Sequence, residues 1–368
     1  MRILVANAGS TSLKLRLVED DDRVSEAADL DPPGTSLGEE LRRFLDHAGQ
    51  IDAIGHRVVH GGSRFTGPVV IDSSIRVELG AMSDLAPLHN PPALATIDAL
   101  THLAPRVPAV ACFDTSFHSS LTPASSTYAL PRAWVEQWGI RRYGFHGLSC
   151  EWSVGRAAGL LQRPAGSLRL VICHLGGGAS VTATAKGSSV DTTMGFTPTE
   201  GLVMATRPGD VDPGALAWLT SHGIGPDELM DALERHSGLL ALSGGTSGDM
   251  RDLLHRRAQG DPAAILAIEV YLHRLRAKIV AMAAATDGTD ALVFTAGVGE
   301  NASEIRADTC GHLGWLGVSL DTGANQTVTS EDRDISGHDA EIRTLVIHAR
   351  EDLVVAAGCR RALGSRLR

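Results

Sequence analysis

The chain has 368 residues, 43% hydrophobic and 21% charged, with a net charge of −10. That length exceeds what one hydrophobic core supports and implies two domains of ordinary globular composition. The acidic balance, with no long run of Lys or Arg, argues against nucleic acid or an anionic membrane surface as a partner, so an anionic ligand must be met by local cations.

In chain order, Ile3 to Ala6 reads as a buried strand, Asn7 to Ser12 as a turn and Leu13 to Val18 as a returning strand. The polar stretch Asp20 to Gly38 reads as a loop, followed by a helix to about Ala48. Ile51 to Val59 is strand-like and ends in Gly61-Gly62. Pro91 to Leu103 reads as a helix, Val107 to Phe113 as a buried strand and Ser149 to Leu161 as a helix. A second unit like the first follows: strand Leu168 to Cys173, turn His174 to Gly178, strand Ala179 to Ala185, then Ser188 to Asp191. Pro213 to Ala285 is mostly helical. The strand Ala291 to Thr295 runs into a glycine-rich turn at Gly297-Val298-Gly299 and another helix, and Ile342 to Ile347 and Asp352 to Leu363 form a last strand and helix.

Each half thus opens with an apolar strand, a small-residue turn and a returning strand. Two such hairpins facing each other across a cleft can grip a phosphate chain, because small residues let backbone N–H groups approach an anion closely. Other designs are excluded: G-x-x-x-x-G-K-[ST], the Rossmann glycine pattern and G-x-S-x-G are all missing. His56 and His60 would share a helix face, but Val58-Val59 favour a strand, where residues four apart are roughly 13 Å apart, too far for one metal. The five cysteines have long spacings and no C-x-x-C, which fits buried free thiols in a reducing compartment better than disulfides or zinc. The start Met1-Arg2-Ile3-Leu4-Val5 is too short for a signal-peptide apolar region, and no stretch suits a transmembrane helix, so a cytoplasmic protein is expected.

Specific segments narrow the reading: Asn7 to Lys14, Gly55 to Gly62, Leu85 to Pro92, Phe113 to His118, Arg141 to Gly147, Met194 to Pro198, Arg207 to Gly214 and Phe294 to Asn301. In this order and nearly end to end, they resemble the acetate kinase family, within the superfamily of sugar kinases, heat-shock chaperone ATPases and actin. The resemblance implies an α/β fold of two related ribonuclease H-like domains with a nucleotide-binding cleft between them. Residues 1–148 with 352–368 would form the first and 149–351 the second. It implies reversible transfer of the ATP γ-phosphoryl group to acetate, with Mg²⁺ (or Mn²⁺) as cofactor and ATP/ADP as co-substrate, in a homodimer.

The resemblance also implies roles for individual residues, each compatible with its chemistry. Lys14, with Ser10 and Ser12, would meet the nucleotide phosphates. Asn7 and Glu351 would arrange the metal and its waters through hard oxygen atoms. His174, Leu175, Gly176, Gly177 and Gly178 would form the second phosphate turn. Asp249, Met250 and Arg251, with Gly297, Val298, Gly299, Glu300 and Asn301, would hold the adenosine. Arg57 would clamp a carboxylate or phosphate. Arg207 and His146 would stabilise the transferring group. Val59, Leu88, Phe145 and Pro198 would enclose the acetate methyl group, with Val59 on the same strand face as Arg57. Asp114 is marked as catalytic, but an ionised carboxylate substrate carries no proton to remove, which favours a role in ordering Mg²⁺-bound water or orienting Arg57 or Arg207. His56, His60, His89 and His118 read as mainly structural, or as supports behind the residues that touch the ligands.

Three positions depart from the family pattern: Gly177 stands where an asparagine is usual, Ser63 where a glutamate is, and Arg350 where an asparagine is. The chain is also short before His56. The rival readings are a propionate kinase, differing by one methylene in pocket volume, and a non-catalytic ATP-dependent switch. The switch would have no use for Arg57, Arg207 and a methyl pocket together.

Overall fold

The computed structural model describes residues 1–9, 12–31, 34 and 37–364. The chain divides into two compact units. The first comprises Met1–Ser119, Phe145–Trp152 and the stretch from Arg350 onward; the second comprises Ser120–Gly144 and Ser153–Ala349. The backbone therefore passes between units four times, and the expected boundary after residue 148 falls inside a helix, Gly147–Leu160.

In the first unit the strands are β1 (Ile3–Ala8), β2 (Leu13–Val18), β3 (Val24–Leu30), β4 (Ala53–Val58), β5 (Val69–Val70) and β6 (Ala109–Phe113). They form one sheet in the order β3-β2-β1-β4-β6-β5. β1, β2 and β3 pair antiparallel, β1, β4 and β6 are parallel, and β5 closes the edge antiparallel. Helices α1 (Leu37–Ala48) and α2 (Asn90–Leu103) cover one face, burying Leu41, Phe44, Leu94 and Ile97 against Leu4, Leu13, Leu15 and Ile54. The helix Glu351–Gly364 covers the other, setting Val354, Val355 and Cys359 against Ile3, Val5 and Cys112. Gly55 on β4 permits that contact: a Cβ there would lie 2.6 Å from Val355 Cγ1 and 2.7 Å from Cys359 Sγ.

The second unit repeats this plan with β7 (Arg169–Leu175), β8 (Ala179–Ala185), β9 (Ser188–Thr192), β10 (Ala291–Thr295), β11 (Arg333–Asp334) and β12 (Arg343–Val346). The order is β9-β8-β7-β10-β12-β11, with the same sequence of antiparallel and parallel pairings. Two units of one topology are the ribonuclease H-like arrangement expected. The helices that matter for the site are α3 (Met250–Ala258), α4 (Pro262–Ala285) and α5 (Ala296–Asn301). Asp261 caps α4 by accepting from the Ala263 and Ala264 amides, and Pro262 supplies a preset first turn.

Several expectations are corrected. The polar stretch 20–38 contains β3, whose side chains alternate between partly buried and exposed; a strand at the sheet edge needs few hydrophobic residues. Ala296–Asn301 is a short helix rather than a turn, entered through Ala296 at φ +66°. β4 ends at Val58, so Val59 lies past the strand instead of on its face. The five cysteines are buried and stand outside any disulfide. Among the described residues no helix is long and apolar enough to cross a membrane.

Candidate active site

In the first unit the functional side chains gather at the carboxyl ends of the parallel strands, the edge where open α/β sheets bind ligands. Asn7 is the register partner of Lys14 on one side and of Arg57 on the other, and Asp114 follows the last residue of β6. The Asp114 carboxylate is fully buried and accepts from Arg57 Nε at 3.0 Å and Nη2 at 2.5 Å. Arg57 Nη1 donates to Asn7 Oδ1 at 3.1 Å, and Asn7 Nδ2 donates to Glu351 Oε2 at 3.0 Å. That carboxylate oxygen is also 3.7 Å from Arg57 Nε. Burial pushes the Asp114 carboxyl up to about 6 against the opposing charge of Arg57. Burial pulls the Arg57 guanidinium down, but Asp114 and Glu351 outweigh it and hold it above its ordinary value.

The segment Phe145–Gly147 is strapped to Asp114. The Gly147 amide donates to the Asp114 carbonyl at 2.9 Å, where a Cβ would come within 2.1 Å of that oxygen. The His146 backbone hydrogen-bonds the carboxylate, and His146 itself sits at φ +59°, a left-handed conformation unfavourable for a side chain with a Cβ. His118 Nε2 contacts the Phe145 carbonyl at 2.9 Å. The loop after β4 is fixed as well: the His60 amide donates to Asn90 Oδ1 at 3.1 Å, and Asn90 Nδ2 returns to the His60 carbonyl at 3.1 Å. The imidazoles of both histidines meet backbone, His118 at the Phe145 carbonyl and His60 through Nδ1, which accepts the Gly62 amide at 2.9 Å. Val59 and Phe145 are buried and Leu88 half-buried in this unit, while Pro198 belongs to the second. Lys14 is exposed and Ser12 half-buried; Ser10 lies outside the described residues.

The second unit contains a cavity of about 900 Å³. Of the residues expected to hold a nucleotide, Gly176, Gly177, Asp249, Met250, Arg251, Gly297, Val298 and Asn301 line it. His174 and Leu175 do not: β7 extends through both and buries them, so the turn begins at Gly176. Gly178 is outside the lining, and Gly299 packs against the strand ends, 3.3 Å from the Phe294 carbonyl carbon to a notional Cβ. Glu300 turns away from the cavity, and its Oε1 accepts the Ala349 amide at 2.9 Å. Sequence reasoning missed Ala205, Leu239, Gly248, Leu254, His255, Ala258, Tyr271, Ala302 and Glu304 in the lining. Helical spacing from Met250-Arg251 would have found Leu254, His255 and Ala258, one face of α3. The rest arrive through tertiary packing.

Arg207 lies on a loop of the same unit, half-buried, its Nη1 donating to the Pro198 carbonyl at 3.2 Å. Burial lowers the guanidinium below its ordinary value, with Glu234 opposing. The loop is tied to the glycine turn by the Ala205 amide, which donates to the Gly177 carbonyl at 3.1 Å. Arg142 ties together the residues on either side of Pro198, donating to Glu200 Oε1 at 2.6 Å and to the Thr193 and Met194 carbonyls at 3.1 Å.

The Acetokinase family description matches residues 35–357. The chain belongs to that family. It is 43% identical to an acetate kinase of a Synechococcus species over 99% of each chain. The crystal structure of Porphyromonas gingivalis acetate kinase superposes with a TM-score of 0.89 at 32% identity, covering 98% of this chain and 99% of the other. A propionate kinase from Francisella tularensis gives 0.90 at 34% identity, covering 97% and 98%. Membership in the acetokinase family makes this chain a kinase, and it accounts for glycine-rich turns and a cavity on a sheet of this topology.

Proposed function

We propose that this chain catalyses the reversible, Mg²⁺-dependent transfer of the ATP γ-phosphoryl group to acetate, giving acetyl phosphate and ADP. The observation that carries the carboxylate acceptor is the Arg57–Asp114 pair. A kinase acting on a hydroxyl needs a base to take its proton. Asp114 spends both oxygens on Arg57, whereas acetate, with a pKa near about 4–5, reaches the site already ionised.

Of its five N–H donors, Arg57 commits Nε and one on each terminal nitrogen to Asp114 and Asn7. One N–H remains on each of Nη1 and Nη2, and these would bond a carboxylate or phosphate. Val59, Leu88, Phe145 and Pro198 would exclude water around the methyl group. Lys14 and the backbone of Gly176 and Gly177 would meet the phosphates, with Asp249, Met250, Arg251, Gly297, Val298 and Asn301 around the nucleoside. Arg207 and His146 would neutralise charge developing on the transferring group. Asn7 and Glu351 suit a hard cation, because Mg²⁺ takes few protein oxygens and keeps waters and substrate phosphates as its other ligands. When bound, that ion would neutralise phosphate charge. We place the enzyme in the cytoplasm as a homodimer, which sedimentation would test.

The direct test is hydroxylamine trapping of acyl phosphate with ATP, Mg²⁺ and acetate, run beside propionate and a sugar. Trapped product with the carboxylates alone supports the proposal; ADP release with the sugar alone overturns it. Similarity to the Francisella propionate kinase favours a second reading, propionate as the preferred acid, and the ratio of kcat/KM for the two acids decides between them.

A further inference from the structure

Glu300 sits inside the glycine motif that borders the cavity, yet its carboxylate points elsewhere. On α5, Gly297, Val298 and Asn301 form one face and line the cavity. The Glu300 side chain leaves from another face and is 14% exposed. Its Oε1 accepts the Ala349 amide at 2.9 Å, and its Oε2 is 4.0 Å from His348 Nε2. The Glu300 carboxylate holds backbone instead of facing the cavity.

The backbone it holds is a particular one. Ile347, His348 and Ala349 are the last residues of the second unit before the chain returns to the first at Arg350. All three amides are fixed: Ile347 to the Phe294 carbonyl at 3.0 Å, His348 to Asp332 Oδ1 at 2.8 Å, and Ala349 to Glu300. Asp332 is itself paired with Arg156 at 2.5 Å. Of the three anchors, only Glu300 rides on an element that borders the cavity. Two residues beyond Ala349, Glu351 accepts from Asn7 and lies 3.7 Å from Arg57. At the other end of the link, α5 behaves as one piece, because the buried Arg306 donates through Nη1 to the Gly299 and Glu300 carbonyls at 2.9 and 2.8 Å.

We propose that Glu300 is a positioning residue that couples nucleotide occupancy of the second unit's cavity to the placement of Glu351 in the Asn7–Arg57 network. The inference rests on the nucleotide reading of that cavity. A nucleotide pressing on Gly297, Val298 and Asn301 shifts α5; the Glu300 carboxylate carries the Ala349 amide with it, and the short covalent run from Ala349 to Glu351 passes the shift on. Coupling of this kind is reciprocal, so the carboxylate substrate tightens nucleotide binding by the same factor.

The test uses Mg·ADP and acetate, which cannot react with each other, and reads the Kd of Mg·ADP by calorimetry with and without saturating acetate. Wild type is expected to show a tightening of at least about fivefold, the lower end of measured couplings. Glu300→Ala should bring the factor close to one while leaving the Kd of Mg·ADP alone within about threefold of wild type. Glu300→Gln keeps an oxygen for the Ala349 amide and should restore at least half of the coupling free energy. If Glu300→Ala does not fold, Ala349→Pro deletes the donor and leaves the carboxylate in place, with the same expected loss. Coupling retained in Glu300→Ala or Ala349→Pro, or absent from wild type, overturns the proposal. So does a tenfold loss of Mg·ADP affinity without acetate, which would make Glu300 a ligand. Failure of wild type to bind Mg·ADP at all would instead sink the nucleotide reading.

Discussion

At the carboxyl edge of the first sheet, Arg57 is held by Asp114, Asn7 and Glu351. At the same edge of the second sheet, β7 and β10 lead towards Gly176, Gly177 and Gly297, which offer backbone and space around a cavity. One topology supports two strategies. A small anion offers too little surface to be recognised by shape, so its countercharge must be set in advance, where it costs no reorganisation during reaction. A nucleotide brings a large surface, and a mostly apolar, roomy pocket with a few polar groups suffices.

The largest expected break of this contrast is Arg57→Ala. Turnover should fall at least about a hundredfold, the scale for losing an aimed transition-state donor, with ATP binding little changed; near-normal turnover would remove Arg57 from the mechanism. Asp114→Asn should be milder, lowering kcat roughly tenfold to a hundredfold as a lost supporting partner does. Because Asp114 acts through Arg57, the double substitution should be no slower than Arg57→Ala alone, and additive losses would instead assign Asp114 a separate chemical step. The pH profile sharpens the same point. Above about 6 the ionised Asp114 accepts both Arg57 bonds; as pH falls through about 6 it gains a proton and releases one. Wild-type kcat should therefore decline on acidification through that range, and Asp114→Asn should lack this limb.

Val59→Ala probes the wall near the clamp rather than the clamp. It should raise the propionate-to-acetate ratio of kcat/KM by about tenfold, the worth of one methylene; an unchanged ratio means that Val59 does not face the methyl group. The smallest effect is expected in the other region. A Cβ at Gly177 would meet no heavy atom within 4 Å, and its φ lies outside the left-handed range. Gly177→Asn should fit without strain and lower the KM for ATP about twofold to fivefold through one added hydrogen bond. Lost activity in a folded variant would mean that the turn has adapted to glycine.

How much was legible follows the range of the interactions. Both hairpins could be read because Leu13, Leu15 and Leu17, or Ala179 to Ala185, carry their pattern locally, and the family segments marked Arg57 and Asp114. Asp114 could be read as a partner for Arg57 or Arg207, but not which of the two, since that depends on the register of β4 against β6. β3 escaped because Ser25, Glu26 and Asp29 look like loop residues to any local reading. Glu300 was assigned with Gly297 because the motif is contiguous; once 296–301 is a helix, its successive side chains point in different directions and only some of them line the cavity. Tyr271, a buried hydroxyl with no partner among the described residues, reaches the lining from the middle of α4, a placement no local pattern announces.

The helix Glu351–Gly364 has a consequence for biogenesis. The first sheet is complete once β6 has been made, yet Ile3, Val5, Val110 and Cys112 face a helix encoded at the far end of the chain. During synthesis, at about 5–20 residues per second, that apolar face waits on the order of tens of seconds for its cover. A nascent chain of this protein therefore carries an uncovered sheet throughout the making of its second unit. Truncation just before Glu351 would leave that face bare for good.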